Sequence, residues 1–299
     1  MIRELKTLVS VAREGTFAAA GDKIGLTQAA VSAQMQRLQA ELGLSLFDRA
    51  GRSSRLNKMG HQILEQTQEL LRLYDNLGSA SAGAPAAKVT IGAIASVQRS
   101  FLPDTLATLH RQLPDCRTRV LPGLSMELLN MVDAGEIDMA VIIRPPFALQ
   151  SDLRWTTLAR EPFRLIVPRD VPGDDWVELL SQQPFVRYDR ASFGGRQVDR
   201  FLRKMQVSVH EVCEVDELDA IVKLVGNRVG VALLPQTAAH RHWPAAMRVV
   251  DLGAHTFHRD IGLVYRYQAS LSAPARMLVD LIEEHAQAIS LDSTWNDSE

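Results

Sequence analysis

The chain has only two cysteines, Cys116 and Cys213, far apart and outside any CxxC pair. That scarcity argues against a disulfide framework or a zinc ribbon and for a reducing compartment, where thiols are ordinarily just buried. No stretch approaches the ~20 apolar residues of a membrane span. The opening MIRELKTLVSVARE is an amphipathic helix, not the continuous apolar core of a signal peptide. The expected location is cytoplasmic. No GxGxxG or GxxxxGK[ST] follows a strand-like run, so nucleotide binding has no support. His240-Arg241-His242 and the pair His255 and His258 lack HExxH spacing, so no metal and no cofactor are expected. Gly123-Leu124-Ser125-Met126-Glu127 lacks the last glycine of a nucleophile elbow, and no catalytic residue is assigned. An excess of one charge is missing as well. There are 33 Lys and Arg against 35 Asp and Glu, a net charge of −2.

What is present is ordinary in bulk and uneven in detail. At 299 residues, 46% hydrophobic and 23% charged, the chain holds two or three domains with real cores. Residues 1–60 carry nine Lys and Arg against five Asp and Glu, about +4, the asymmetry of a DNA-binding end.

The informative stretch is TFAAAGDKIGLTQAAVSAQMQRLQAEL, residues 16–42. Thr16 is placed to cap a first helix running to about Ile24, and Thr27 to cap a second. Gly25-Leu26 forms the turn between them, and Gly43 ends the second helix. Val31, Met35, Leu38 and Leu42 share one face of that second helix. The opposite face carries Ala29, Ser32, Ala33, Gln36 and Ala40, flanked by Gln28 and Arg37, with no acid until Glu41. Such a face suits a major groove, where Gln bonds adenine and Ser bonds several base edges. It also suits a solvated helix in a bundle. Leu5, Leu8, Val9 and Ala12 form a supporting helical stripe. Leu46 and Phe47 anchor a hairpin in which Arg49, Arg52 and Arg55 alternate with Gly and Ser. This basic wing suits phosphate or minor-groove contact.

The run AREGTFAAAGDKIGLTQAAVSAQMQRLQAELGLSLFDRAGR resembles, from end to end, the winged helix-turn-helix of LysR-type transcriptional regulators. Members of that family often carry Gln-Pro where this chain has Gln28-Ala29, and basic residues at the positions of Ala33 and Gln36. The recognition helix here therefore leans less on charge and leaves phosphate contact to Arg37 and the wing. The expected DNA-binding set is Thr27, Gln28, Ser32, Gln36, Arg37, Arg49, Arg52 and Arg55.

Asn57 is placed to cap a long helix from Lys58 to about Leu77. Ile63, Leu70 and Leu77 are seven apart, as are Leu64 and Leu71, with Met59 and Tyr74 on the same seam. The spacing fits a short two-helix coiled coil or a helix packed on its own domain. The resemblance implies dimerisation through Met59, Ile63, Leu70, Tyr74 and Leu77, hence a homodimer or homotetramer. The expected domains are 1–58 for the winged head, 59–78 for the linker helix, 79–88 for a hinge of small residues, and 89–299 for the remainder.

From residue 88 strand-like and helix-like runs alternate, which predicts an α/β fold with largely parallel sheets. Expected strands include Val89–Ala93, Thr118–Leu121, Met139–Ile143 and Phe163–Val167, with Arg99–Leu113 as one helix. The length requires two lobes, one of about 89–161 and 263–299, the other of about 162–262. VTIGAIASVQRSFLP, GLSMELLNMVDAGEIDMAVI, EPFRLIVP and VDELDAIVKLVGNRVGVALLP resemble, in order, the effector domain of LysR-type regulators. That domain is built like periplasmic binding proteins, with ligand in the cleft between lobes.

Ligands of open α/β sheets sit beyond the carboxyl ends of strands, against helix N-termini. Ser96, Ser125 and Arg144 occupy such ends in the first lobe, each serine also being a candidate cap. By resemblance the two serines match hydroxyls that contact effector. Phe193, opening a helix with Gly194-Gly195, is expected across the cleft. Hydroxyls, helix N–H groups and a guanidinium together suit a carboxylate, so the expected effector is an organic anion. The expected function is effector-responsive control of promoters on double-stranded DNA, without enzymatic activity and with RNA polymerase as a further partner. Two alternatives stand beside it. One is an oxyanion-responsive regulator of the ModE type. The other is a solute binder or enzyme with a vestigial DNA-binding domain.

Overall fold

The computed structural model describes residues 1–48, 55–77, 87–240, 242–267 and 271–291. The chain divides into two compact units, Met1–Pro85 and Ala86–Glu299.

Among the described residues the first unit has four helices, α1 (Ile2–Glu14), α2 (Phe17–Ile24), α3 (Gln28–Leu42) and α4 (Lys58–Leu77). The Thr16 hydroxyl accepts from the Ala19 N–H at 3.1 Å, and the Thr27 hydroxyl accepts from Ala30 at 3.2 Å. Each cap satisfies a donor that a helix start leaves orphaned. Gly25 and Gly43 end α2 and α3 at φ +70° and +67°, the left-handed region that glycine enters without strain. Leu5, Leu8 and Val11 of α1 meet Ala20 of α2 and Val31, Met35 and Leu38 of α3 in one buried cluster. A polar contact crosses that cluster: the buried Thr7 hydroxyl donates to Gln34 Oε1 at 2.5 Å. Phe47 and Leu56 pair antiparallel at the base of the wing. Asn57 fastens that base, donating to the Ser45 carbonyl and accepting from Gly60 N–H, both at 2.8 Å.

Among the described residues the second unit contains nine strands: β1 (Lys88–Ala93), β2 (Arg117–Pro122), β3 (Met139–Ile143), β4 (Leu153–Pro168), β5 (Pro184–Tyr188), β6 (His210–Val215), β7 (Ala232–Pro235), β8 (Met247–Val250) and β9 (His258–Arg266). Seven of them form a sheet in the order β2-β1-β3-β9-β4-β7, with β8 also on β4, while β5 and β6 pair separately. The intervening helices are α5 (Ala95–Gln98), α6 (Leu102–Gln112), α7 (Ser125–Asp133), α8 (Trp176–Gln182), α9 (Phe193–Lys204), α10 (Leu218–Gly226) and α11 (Ala273–Leu291).

Two lobes follow from where the side chains are buried. One core gathers β1, β3, α6, α7 and α11, the other β5, β7, α9 and α10. Strand β4 serves both, and β9, whose apolar residues lie in the first, runs antiparallel along it from Leu153↔Arg266 to Pro162↔His258. The sheets are less parallel than the alternation of elements predicts. Only β1–β2, β1–β3 and β5–β6 are parallel, and every pairing made by β4 or β9 is antiparallel. A chain that leaves one lobe and returns beside its own exit must run the other way. The helix expected over Arg99–Leu113 is α6, beginning later at Leu102, and the separate short helix α5 precedes that range. Pro103 sits in the first turn of α6, where its missing N–H costs nothing.

Candidate DNA-binding face and effector cleft

On α3, Val31, Met35 and Leu38 are fully buried. That orientation leaves Gln28, Gln36 and Arg37 exposed and Ser32 half-buried, with Thr27 exposed at the cap. Arg37 is also drawn back toward α1, its Nη2 lying 3.6 Å from Glu4 Oε1. The N-terminal ammonium, and more weakly Arg37, hold the Glu4 carboxyl below the usual glutamate value. Arg55 is exposed at the wing base, where its carbonyl accepts from Asp48 N–H at 2.9 Å. Arg49 and Arg52 lie outside the described residues.

Helix α4 has two apolar faces. Ile63, Leu64 and Leu71 pack on the core of the winged head. Met59, Leu70 and Tyr74 remain 40%, 42% and 45% exposed, with the Lys6 ammonium 5.9 Å over the Tyr74 ring. Ile63 therefore sits between the seam and the head. The Leu77 side chain lies outside the described residues.

In the second unit five strand ends meet at one cleft. It is lined by Ser96 after β1, Leu124 and Ser125 after β2, Ile143 of β3, Tyr188 of β5 and Ser192 after it, and Asp216 and Glu217 after β6. The cavity volume is about 40 Å³, room for a few waters. Ser125 is buried in the first turn of α7, and the cap position belongs to Leu124, which has no side-chain cap bond. The Ser125 hydroxyl instead accepts from Ile143 N–H at 3.1 Å, tying α7 to β3. Ser192 does cap its helix, accepting from Gly195 N–H at 2.9 Å. The helix lies so close to the preceding strand that a Cβ on Gly195 would stand 1.9 Å from the Asp189 carbonyl oxygen.

Behind the cleft sits Arg259, 1% exposed. Glu161 and Arg259 are directly opposed on β4 and β9. Their side chains pair, Nε donating to Glu161 Oε2 at 2.6 Å. The two remaining guanidinium nitrogens reach one lobe each. Nη2 donates to Ser96 Oγ at 3.1 Å, and Nη1 to the Tyr188 hydroxyl at 3.4 Å. Burial works against the Arg259 charge, but Glu161 and then Tyr188 raise its pKa above the ordinary arginine value. Burial likewise raises the Tyr188 phenol, opposed in part by Arg259, so it stays a protonated donor. At the mouth, Arg99 of the first lobe bridges to Glu217 at 3.0 Å and to Asp219, both of the second.

Of the four residues expected to hold effector, Ser96 and Ser125 line the cleft. Arg144 and Phe193 are not among its lining residues. Arg144 is exposed, stacked 5.7 Å over the Trp155 ring, and lines a separate depression with Phe147 and Arg154. Phe193 is buried in the core of the first lobe although its helix belongs to the second, and it meets Phe147 edge-on at 6.4 Å. Sequence reasoning missed Arg259, Glu161, Tyr188 and Arg99. The one available signal is weak: Arg259 is a charge two residues before the apolar run that begins at Ile261 in β9. Among the described residues no group of His, Cys, Asp and Glu could hold a metal ion, and no helix is long and apolar enough to cross a membrane.

A helix-turn-helix head together with a two-lobed, cleft-bearing α/β unit defines a regulator that couples DNA binding to a small molecule. Comparison with known proteins makes the class specific. Residues 2–61 match the model of bacterial regulatory helix-turn-helix proteins of the lysR family, and residues 82–287 match the LysR substrate binding domain. The chain belongs to the LysR family of transcriptional regulators. It is similar to YfeR of Shigella flexneri, an uncharacterized HTH-type transcriptional regulator, with 27% identity over 299 residues, 96% of this chain and 95% of the relative. Full-length OxyR of Pseudomonas aeruginosa, as a single-site variant, superposes with a TM-score of 0.61 at 24% identity, covering 96% of this chain and 94% of that one. Full-length CbnR in complex with its target DNA superposes at 0.52 and 20% identity, covering 97% and 99%. The family and its relatives regulate transcription and are not enzymes. The match runs through head and two-lobed unit together, which favours neither a ModE-type regulator nor a solute binder with a vestigial head.

Proposed function

We propose that the chain works as a homodimer or homotetramer that grips operator DNA through paired heads and is retuned by a small organic acid held in the cleft. Thr27, Gln28, Ser32 and Gln36 read base edges. Arg37, Arg49, Arg52 and Arg55 contact phosphate or the minor groove. The exposed seam of Met59, Leu70 and Tyr74, continued by Leu77 and flanked by Ile63, pairs two copies of α4. Such a dimer presents two recognition helices to half-sites about one helical turn, or a multiple of it, apart.

The observation that carries the ligand reading is the convergence of strand ends from both lobes on Ser96, Ser125 and Tyr188, with Arg259 behind them. Ligand carboxylate oxygens accept from the two serine hydroxyls and the first N–H groups of α7. Arg144 and Phe193 act from outside the cleft, through the junction between lobes. Binding favours one placement of the lobes, and that preference alters head spacing, DNA bending or contact with RNA polymerase. The test is footprinting on the adjacent intergenic DNA with and without candidate metabolites. Two protected half-sites whose boundary moves with one metabolite are expected. No preference for any genomic fragment over random competitor at moderate salt would sink the reading.

A further inference from the structure

Charge around the cleft is lopsided. None of its lining residues is Lys, Arg or His, and two, Asp216 and Glu217, are acids. Arg259 stands behind them already neutralised by Glu161. Arg99 is divided between Glu217 and Asp219. Arg190, next along from Asp189, is engaged by Glu211 at 2.5 Å and Glu214 at 2.8 Å. Asp216 is left over. It makes no hydrogen bond or ion pair with any described residue, and its open side reaches solvent. Burial, then the neighbouring Asp189 and Glu217, raises its pKa above the usual aspartate value.

The opposite wall has the reverse character. Ser96 Oγ already accepts from Arg259 and Ser125 Oγ from Ile143 N–H, so both hydroxyl protons remain for a ligand. Leu124 gives α7 no side-chain cap bond; its own N–H donates to Glu127 Oε2 at 3.3 Å, and the next N–H groups of the helix point the same way. One lobe thus offers donors and the other an unpaired carboxylate. A simple dianion fits the first wall and is repelled by the second.

We propose, building on the cleft reading above, that the effector is a small zwitterion, its carboxylate on Ser96, Ser125 and the start of α7 and its protonated amine on Asp216. The cleft as it stands has room for only a few waters, so the ligand is a small one. Its ammonium supplies the partner Asp216 lacks, and a ligand that touches both walls joins the lobes as neither an acid nor an amine alone can.

The test is calorimetric titration of the full-length protein with matched probes at millimolar concentration. Alanine, serine and 2-aminobutyrate are each compared with the deaminated acid (propionate, 3-hydroxypropionate, butyrate) and the decarboxylated amine (ethylamine, ethanolamine, propylamine). At least one amino acid is expected to bind, with its acid and its amine each weaker by about tenfold or more. Asp216→Asn is expected to erase the advantage of the amino acid over its acid, while Ser125→Ala weakens both. An acid that binds as tightly as its amino acid, or a panel in which no amino acid binds, overturns the zwitterion and leaves the cleft free to hold another ligand. Binding untouched by both Asp216→Asn and Ser125→Ala removes the cleft itself as the site.

Discussion

Arg259→Met is the substitution that most directly probes how the lobes are held. The native guanidinium is 1% exposed and its partner Glu161 has a side chain 13% exposed. Removing the arginine leaves a carboxylate largely out of water with no countercharge, and takes a donor from Ser96 and from Tyr188. Breaking one side of a buried pair costs about 3–5 kcal/mol. For a unit of roughly two hundred residues, each kcal/mol moves Tm by about 2–4 °C. The expected drop is therefore on the order of 10 °C. The assay is thermal and urea unfolding of the full-length protein followed by tryptophan fluorescence. All four tryptophans, Trp155, Trp176, Trp243 and Trp295, fall in the second unit, so the signal reports that unit alone. The double variant Arg259→Met/Glu161→Leu removes both charges and is expected to recover most of the loss. A single variant that costs less than about 1 kcal/mol, or a double variant no better than the single, refutes the claim that the pair is a mutually dependent buried contact.

Three further outcomes are expected. Arg55→Ala weakens DNA binding evenly across sequences and lowers the salt slope by about one, whereas Gln28→Ala relaxes base preference; equal loss on every sequence for Gln28→Ala defeats its assigned role. Leu70→Asp, on the exposed seam of α4, shifts the protein toward monomer in sedimentation without unfolding the head, and an unchanged association state removes the seam as the interface. Burial, followed by Arg160 and Arg164, lowers the His258 pKa below the usual 6.5. The native state thus favours the neutral ring. Its contribution is complete above the unfolded-chain value and fades as pH falls through the folded one. Replacing His258 with Asn should flatten stability on the acid side of 6.5, and an identical pH profile would contradict this.

The head was readable because its signals are local. Thr16, Thr27 and Asn57 each accept from an N–H three residues on, and a helix face repeats within a single turn. The same holds for β3, a run buried on both sides. The long strand β4 was legible only in its second half. Leu153–Arg160 is mostly half-buried or exposed and carries arginines, so nothing apolar announces it. The cleft was half legible. Ser96 and Ser125 stand where strands end and helices begin, a rule of topology that sequence order reveals. Arg259 acts through Glu161 and Ser96, 98 and 163 positions away, and no periodicity spans such gaps. Phe193 was placed in the cleft by its position at a helix start, yet it packs with the other lobe because its helix reaches across.

The strands β4 and β9 are the only two passages of the described chain between the lobes, and they are laced to each other along most of their length. A laced pair resists sliding, since a shift of one residue turns every side chain to the wrong face. It yields most readily to torsion, and a register irregularity between Thr157 and Ala159 places the soft point beside the Glu161–Arg259 rivet. A twist at that point would swing the outer ends of the two lobes while leaving the pairing of β4 and β9 intact.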